Sequence, residues 1–410
     1  MSAVMFEQRS CAGSRHRGVS LLMLFTFAVC QAAYADNWLP MTGAATLREF
    51  VSDATAEIQL RPGVTAVGTY RADGSAEIEA WNETFTRTWN VKGDDQVCYT
   101  SDVQTDCFSF ERNSDDPLQF RARNAETGEV VSFRIVGTEI SRAAGEGLPD
   151  DEGGLGAPSA AEIAAALSDP NTTLGSMNFQ FDYIAFDGDI PGAGGAEAQR
   201  MLFQPSLPYP LTEGSNLFIR PAIPVIFKQD VPNRGGGFKS EGVDLGDISF
   251  DASLARTLPG GFVLLGGMAG TLPTATEDSL GLDQWLLGPE AAVAMVRPWG
   301  VAGVLVSHQW DVAGEDDYDT SVTGGQYFYA FNLGDGWQIN GSPTFSYNHE
   351  AGSDDKWTFP LAVGVSRTMI LNGRPWKFGV QYWHFVESPD TFGPDYQLRF
   401  SVSPVVKLPW

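Results

Sequence analysis

Every second residue of the last stretch of this chain is apolar. Counting back from Trp410, Leu408, Val406, Pro404, Val402, Phe400, Leu398 and Tyr396 share one face of an extended strand. Pro409, Lys407, Val405, Ser403, Ser401, Arg399 and Gln397 share the other, which is mostly polar. One such strand fits any half-buried sheet. A transmembrane barrel must repeat the pattern in every strand, because one face meets lipid and the other a wet lumen.

The pattern does repeat from Ser176 onward. Phe179, Phe181 and Tyr183 alternate with Asn178, Gln180 and Asp182. Ile248, Phe250, Ala252 and Leu254 alternate with Asp247, Ser249, Asp251 and Ser253. The stretch from Trp337 to Asn348 reads as one strand with Trp337, Ile339, Phe345 and Tyr347 on its apolar face. Stripes that begin or end in tryptophan suit the girdles at the two membrane interfaces, and Trp310, Trp337, Trp357, Trp376 and Trp410 are the candidates. Short connections (209–214, 258–260, 297–300, 334–336, 371–375) alternate with longer polar ones (187–198, 228–243, 272–282, 312–321, 350–355, 387–393). Counting between them predicts about 12 antiparallel strands, an even number that puts both ends on the side of the short turns.

The start of the chain has the form of an export signal. Arg9, Arg15 and Arg17 precede a short apolar core over 18–29, and Ala33-Tyr34-Ala35 is a small-residue cleavage site. Lipidation at Cys30 is the alternative, with Val29 where a small residue is usual. The formal net charge is −25, which excludes nucleic acid as a partner. Beyond the leader two cysteines remain, Cys98 and Cys107, and in an oxidising compartment such a pair is expected as one disulfide. Two free thiols are the alternative.

The domain reading is therefore a signal peptide over 1–35, a β-rich unit over 36–140, a linker with a short helix over 141–175, and the barrel over 176–410. In the second unit Asp73-Gly74 and Thr127-Gly128 mark hairpin turns. Its aromatic residues Trp81, Phe85 and Trp89 could form its core or a binding face. The linker is rich in glycine and acid, and Ser159 with Glu162 has the form of a capping box opening a helix to about Leu167.

Several strings within 165–405 resemble a known family. Phe203-Gln204-Pro205, the run Asn216–Pro221, Leu272–Asp278, Ser307–Gly314, Asn332–Trp337 and Gly393–Phe400 are similar to outer-membrane barrels assigned to phenol-degradation pathways, often mislabelled neuromedin U. The β-rich unit has no counterpart in that pattern. The resemblance implies uptake of small molecules, aromatic ones among them.

The fold class expected is thus all-β: an antiparallel transmembrane barrel carrying a small periplasmic β-rich domain. The partners expected are outer-membrane lipid and lipopolysaccharide, the barrel-assembly machinery through the C-terminal strand, and a small solute. If the polar face lines the lumen, Asp182, Arg200, Arg220, Asp247, Asp251, Glu290, Lys377 and Arg399 are its candidate selectivity residues. The same charges could instead pair and fill the interior, because barrels near eight strands are filled and those of sixteen or more leave channels. The acidic run 315–319 lacks the glycine placement of a calcium loop.

No cofactor motif, nucleophile elbow or phosphate loop is present, and the chain is not expected to be an enzyme. Ser307 and His308 are neighbours in a strand, so they face opposite ways and cannot pair with each other. Three functions follow: a channel, a non-conducting anchor for the β-rich unit, and a lipid hydrolase at the outer rim using His308.

Overall fold

The computed structural model describes residues 37–61, 64–128, 130–135, 158–212, 214–233, 236–314 and 318–410. The export signal with Cys30, the linker as far as 157 and most of the acidic run 315–319 lie outside the described residues.

The first elements are β1 (Trp38–Met41), α1 (Ala44–Val51), β2 (Thr55–Arg61), β3 (Val64–Tyr70), β4 (Ser75–Ala80), β5 (Glu83–Lys92), β6 (Gln96–Thr100), β7 (Thr105–Asn113), β8 (Gln119–Asn124) and β9 (Val130–Ile135). β2 to β9 pair in chain order, all antiparallel, and β9 pairs back onto β2. The β-rich unit is therefore a closed eight-stranded barrel, with β1 laid along β7. Eight strands enclose a space that side chains can fill, and Ile78, Phe85, Trp89, Tyr99, Phe110 and Phe133 fill it together with Leu47 and Val51 of α1. Trp81, Phe85 and Trp89 belong to this core.

Cys98 and Cys107 face each other across β6 and β7 and form a disulfide. Their separation is nine residues, a short loop whose closure stabilises by about 2–3 kcal/mol in the chain-entropy account. Replacing both cysteines by serine should lower the stability of this barrel by that amount. Thermal unfolding with and without reductant measures it: reductant should shift the parent toward the variant and leave the variant unmoved.

After α2 (Ala160–Ser168) come β10 (Gly175–Asp187), β11 (Glu197–Thr212), β12 (Ser215–Pro232), β13 (Phe238–Glu241), β14 (Asp244–Leu245), β15 (Ile248–Leu258), β16 (Phe262–Leu272), β17 (Gln284–Arg297) and β18 (Gly300–Gly314). The chain ends with β19 (Ser321–Gly334), β20 (Trp337–Gly341), β21 (Thr344–Asn348), β22 (Trp357–Leu371), β23 (Arg374–Glu387) and β24 (Gly393–Val406). β10, β11, β12, β15 to β19, the β20/β21 pair and β22 to β24 form one antiparallel sheet. It closes where β24 pairs with β10. With β20 and β21 counted as one interrupted strand, this is a closed barrel of 12 strands. β13 and β14 are short additions to β12 within its long loop.

The strand over 337–348 is not continuous as the alternation suggests. It breaks at Ser342-Pro343, because proline has no N–H to give to a ladder. Two tyrosines on β19 serve the carbonyls that face the break: Tyr327 Oη donates to Pro360 O at 2.9 Å and Tyr329 Oη to Ala362 O at 2.7 Å.

Exposure separates the faces. On β22, Leu361, Val363 and Val365 are 55, 57 and 42 % exposed, while Ser366 and Thr368 are 3 and 1 % exposed. Phe262, Leu264, Met268, Val380, Tyr382, Leu398 and Phe400 are likewise exposed. A water-soluble sandwich would bury these rows between its sheets. A belt of this kind around a closed sheet is the surface that faces hydrocarbon. Trp310, Trp337, Trp357 and Trp410 are exposed and Trp376 half-buried; Trp285 and Trp299 are exposed as well.

The terminal stripe does not run as one strand to Trp410. β24 ends at Val406, after which Leu408 is buried and Trp410 donates from its indole to Pro208 O at 2.8 Å. Val405, on the polar face of the stripe, is buried in the same core as the small barrel.

Candidate functional site

Asp182 sits at the closing seam. The register places it opposite Arg200 on β11 and opposite Arg399 on β24. Its carboxylate, fully buried, accepts from Arg399 Nε at 2.7 Å and Nη2 at 2.8 Å, and from Arg200 Nε at 3.4 Å. Arg399 also lies over the ring of Trp383, 4.4 Å from its centroid. Trp383 is itself buried and donates to Gln381.

A second charged group lies on β12, β15 and β17. Arg220 is in register with Asp251 and donates to both of its carboxylate oxygens, at 3.0 and 2.9 Å. Glu290 lies 3.9 Å from the same guanidinium and accepts from Ser253 Oγ at 2.9 Å. Ser253 and Glu290 reach each other across Gly267, which lies opposite each of them in the sheet. A Cβ at Gly267 would collide with Ser253 Oγ and with the carbonyl of Ala252.

Asp247 belongs to neither group. It precedes β15, and its carboxylate accepts from the backbone amides of Thr274, Ala275 and Leu282, at 3.0, 3.0 and 2.7 Å. Its sequence position placed it on the polar stripe; in the structure it organises the loop above the strand end.

Lys377 is different again. Its Nζ donates to Ser168 Oγ at 3.1 Å, and among the described residues no carboxylate lies within ion-pair distance of it. It borders a cavity of about 320 Å³ inside the barrel, which Arg220 and Arg399 also line. One wall of this cavity, from β20, β22 to β24, β10 and β11, is built of serine, asparagine and glutamine. The opposite wall, from β12 and β16 to β19, is largely apolar. Alternation alone did not show this, because β16 to β18 carry apolar residues on both faces.

The floor of the cavity is a strap formed by residues 158–174. Leu167, Ser168, Asp169 and Pro170 line the cavity from below. α2 begins with the capping box expected: Glu162 N donates to Ser159 Oγ at 3.2 Å, and Ser159 N donates to the Glu162 carboxylate at 2.8 Å. It packs against β18 to β20, β22 and β23. Gln338 donates to Ala164 O at 3.2 Å and to Ser168 Oγ at 3.1 Å. Beyond α2 the strap reaches the other side of the mouth. There Asn171 donates to Gly214 O at 3.0 Å and to Thr257 Oγ1 at 2.8 Å. Both ends of the strap are therefore pinned to the end of the barrel with the short turns.

The small barrel holds the strap from beneath. Arg87 alternates with Phe85 and Trp89 on the buried face of β5, and its guanidinium meets the Glu162 carboxylate in a two-point ion pair. Both side chains are 6 % exposed. Burial alone would raise the Glu162 carboxyl, but the charge and hydrogen bonds of Arg87 outweigh it and hold it below its ordinary range. Ile163, Leu174 and Val405 join the core of the small barrel. Thr173 Oγ1 donates to Asn82 O, and its backbone amide to the Glu83 carboxylate. The sequence signal for this seam is an arginine in an apolar stripe, and nothing local to β5 connects it to Glu162.

His308 lies on the outer face, 4.2 Å between ring centroids from the exposed Trp310. Its Nδ1 is 2.8 Å from Thr323 Oγ1, which is 2.9 Å from His349 Nε2. The hydroxyl beside it thus comes from a threonine on β19.

The fold and the lumen define a membrane-spanning β-barrel whose short-turn mouth is crossed by a strap and backed by a second, smaller barrel. No protein-family model matches the chain, and no curated protein matches it at a significant level. Among solved structures it is similar to an outer membrane channel from Pseudomonas putida F1, at 14 % identity over 57 % of this chain and 94 % of that one, with a TM-score of 0.45. It is similar to the NanC porin at 9 % identity, over 57 % of this chain and all of that one, with a TM-score of 0.37. To the CymD monoaromatic hydrocarbon channel it is similar at 12 % identity over 89 % and 91 % of the two chains, with a TM-score of 0.21.

Proposed function

We propose that this chain is an outer-membrane channel for small solutes. The larger barrel spans the membrane, and the short turns, the strap and the small barrel lie in the periplasm after removal of a leader over 1–35. The observation that carries the reading is an unfilled cavity, polar on one wall, inside a closed barrel with an apolar outer belt. Arg220, Lys377 and Arg399 act as the charged lining that solutes meet, with Asp182, shared with Arg200, and Asp251 and Glu290 holding the two arginines in place. The resemblance to barrels of phenol-degradation pathways agrees with small solutes, and the last strand would be the element read by the assembly machinery.

A second reading is favoured by the shared core. Ile163 of the strap and Val405 of the last strand pack with the small barrel, so the large barrel could serve as its anchor. Recording from the purified mature chain in planar bilayers decides between them. The channel reading expects discrete conductance steps, larger in a variant lacking residues 158–170. Folded protein that passes no current in either form leaves the anchor.

A further inference from the structure

We infer that the lumen cavity above the strap is a binding site for a small amphiphilic organic anion, a carboxylate on a compact apolar body, held by Lys377. The inference rests on the channel reading and names the class of solute that the channel selects.

Charge points to the anion. Arg399 and Arg200 share the Asp182 carboxylate, and Arg220 is met by Asp251 and Glu290. Lys377 alone of these lumen cations faces no carboxylate at ion-pair distance among the described residues. Ser168 takes one of the three N–H groups of its ammonium, at 3.1 Å. Lys377 is half-buried; a cation drawn partly out of water without a counter-charge is costly, and an anionic ligand entering the cavity lowers that cost. Asp169 also borders the cavity, but its carboxylate is engaged by the backbone amide of Asn171 at 2.8 Å.

The walls point to the rest of the molecule. On the side of Lys377, Asn178, Gln180 and Gln204 present neutral donors and acceptors that match a carboxylate and its waters, while Asn340 and Gln381 are bonded to each other and stiffen the wall. Facing them, Phe218, Leu265, Leu305 and Phe328 present an apolar surface. A simple inorganic anion leaves that surface wet, and an apolar molecule without charge leaves Lys377 unmatched. About 320 Å³ is at the small end of the range for ligand sites, roughly 300–1,000 Å³, so the body is one ring or a short chain.

Isothermal titration of the purified mature chain in detergent tests this with benzoate and with benzamide, its uncharged counterpart of the same shape. Benzoate is expected to bind the parent at least ten-fold more tightly than benzamide. Lys377→Met should abolish that preference while leaving benzamide affinity within about two-fold, and Lys377→Arg should keep part of it. Equal binding of the two probes, binding of neither, or a preference that survives Lys377→Met overturns the proposal. The readout is an equilibrium and needs no flux. A barrel that prefers benzoate but passes no current keeps this site and loses the channel. A conducting barrel without the preference keeps the channel and loses the site.

Discussion

Replacing Glu162 by alanine should release the strap from the small barrel and open the short-turn mouth. The carboxylate has two jobs: it closes the capping box of α2 and it faces the buried guanidinium of Arg87. Removing one partner of a buried ion pair costs about 3–5 kcal/mol, and losing the Glu162 half of the capping box adds up to about 1 kcal/mol, since Ser159 still accepts from the amide of residue 162. That is a large share of what can hold a nine-residue helix, which is too short to persist alone. Hydrogen exchange across Ala160–Ser168 should therefore speed up by roughly two to four orders of magnitude, and bilayer conductance should rise. Glu162→Gln keeps a side chain able to cap and should fall between. The double change Arg87→Met with Glu162→Gln should be milder than Glu162→Ala alone, since no cation is then buried. Unchanged exchange in Glu162→Ala would show that the apolar contacts of Ile163 and Leu174 hold the strap without the ion pair.

The same pair sets a pH dependence. A carboxyl held below its ordinary value of 4.5 contributes stability that is fully present above that value and is lost as the pH falls through its folded value. The strap should thus stay protected at neutral pH and loosen only on acidification below the usual glutamate range. Exchange rates measured as the buffer is acidified check the sign, and Glu162→Gln should flatten the profile.

Much of the large barrel was legible because strand parity is a local signal. The apolar rows that begin at Phe179, Trp357 and Trp376 are outward, and the twelve strands fall between the connections that glycine, proline and acidic runs mark. The capping box of α2 was legible for the same reason, since it lies within four residues. What escaped depends on partners far apart in the chain. β2 pairs with β9 across nearly eighty residues, so closure of the small barrel leaves no mark on either strand. Arg87 and Glu162 are separated by 75 residues. Asp247 shows how parity can mislead at an edge: its alternation with Ile248 is correct, yet the strand has not begun at that residue and the loop amides claim the carboxylate. The unequal walls of the lumen escaped because Leu265, Ala294 and Val301 stand in strands that are apolar on both faces. Such strands look like buried core until a barrel is drawn around them.

The seam where the first and last strands meet should be the most sensitive point of the large barrel, and Asp182→Ala should show it. β10 and β24 lie at opposite ends of the barrel sequence, so their pairing closes the longest loop in it. Asp182 contributes a fully buried carboxylate with an arginine on each side. Without it Arg399, 7 % exposed, keeps only the face of Trp383 and the lumen. Arg200 is more exposed and can turn to water. The expected cost is about 3–5 kcal/mol, nearly all of it from Arg399. Asp251→Ala is the matched control, because Glu290 remains 3.9 Å from Arg220 and can close on it. It should cost clearly less. Folded barrels resist SDS until heated, so the temperature at which each variant loses its compact band on a gel orders the three proteins: parent highest, Asp251→Ala next, Asp182→Ala lowest. Adding Arg399→Met to Asp182→Ala should recover part of the loss, because the unmatched cation goes with it and the methionine can pack on Trp383. If Asp182→Ala melts with the parent, the seam is held by its backbone ladder and by the outward contact of Phe181 with Phe400, and the charges in the lumen are there for the solute alone.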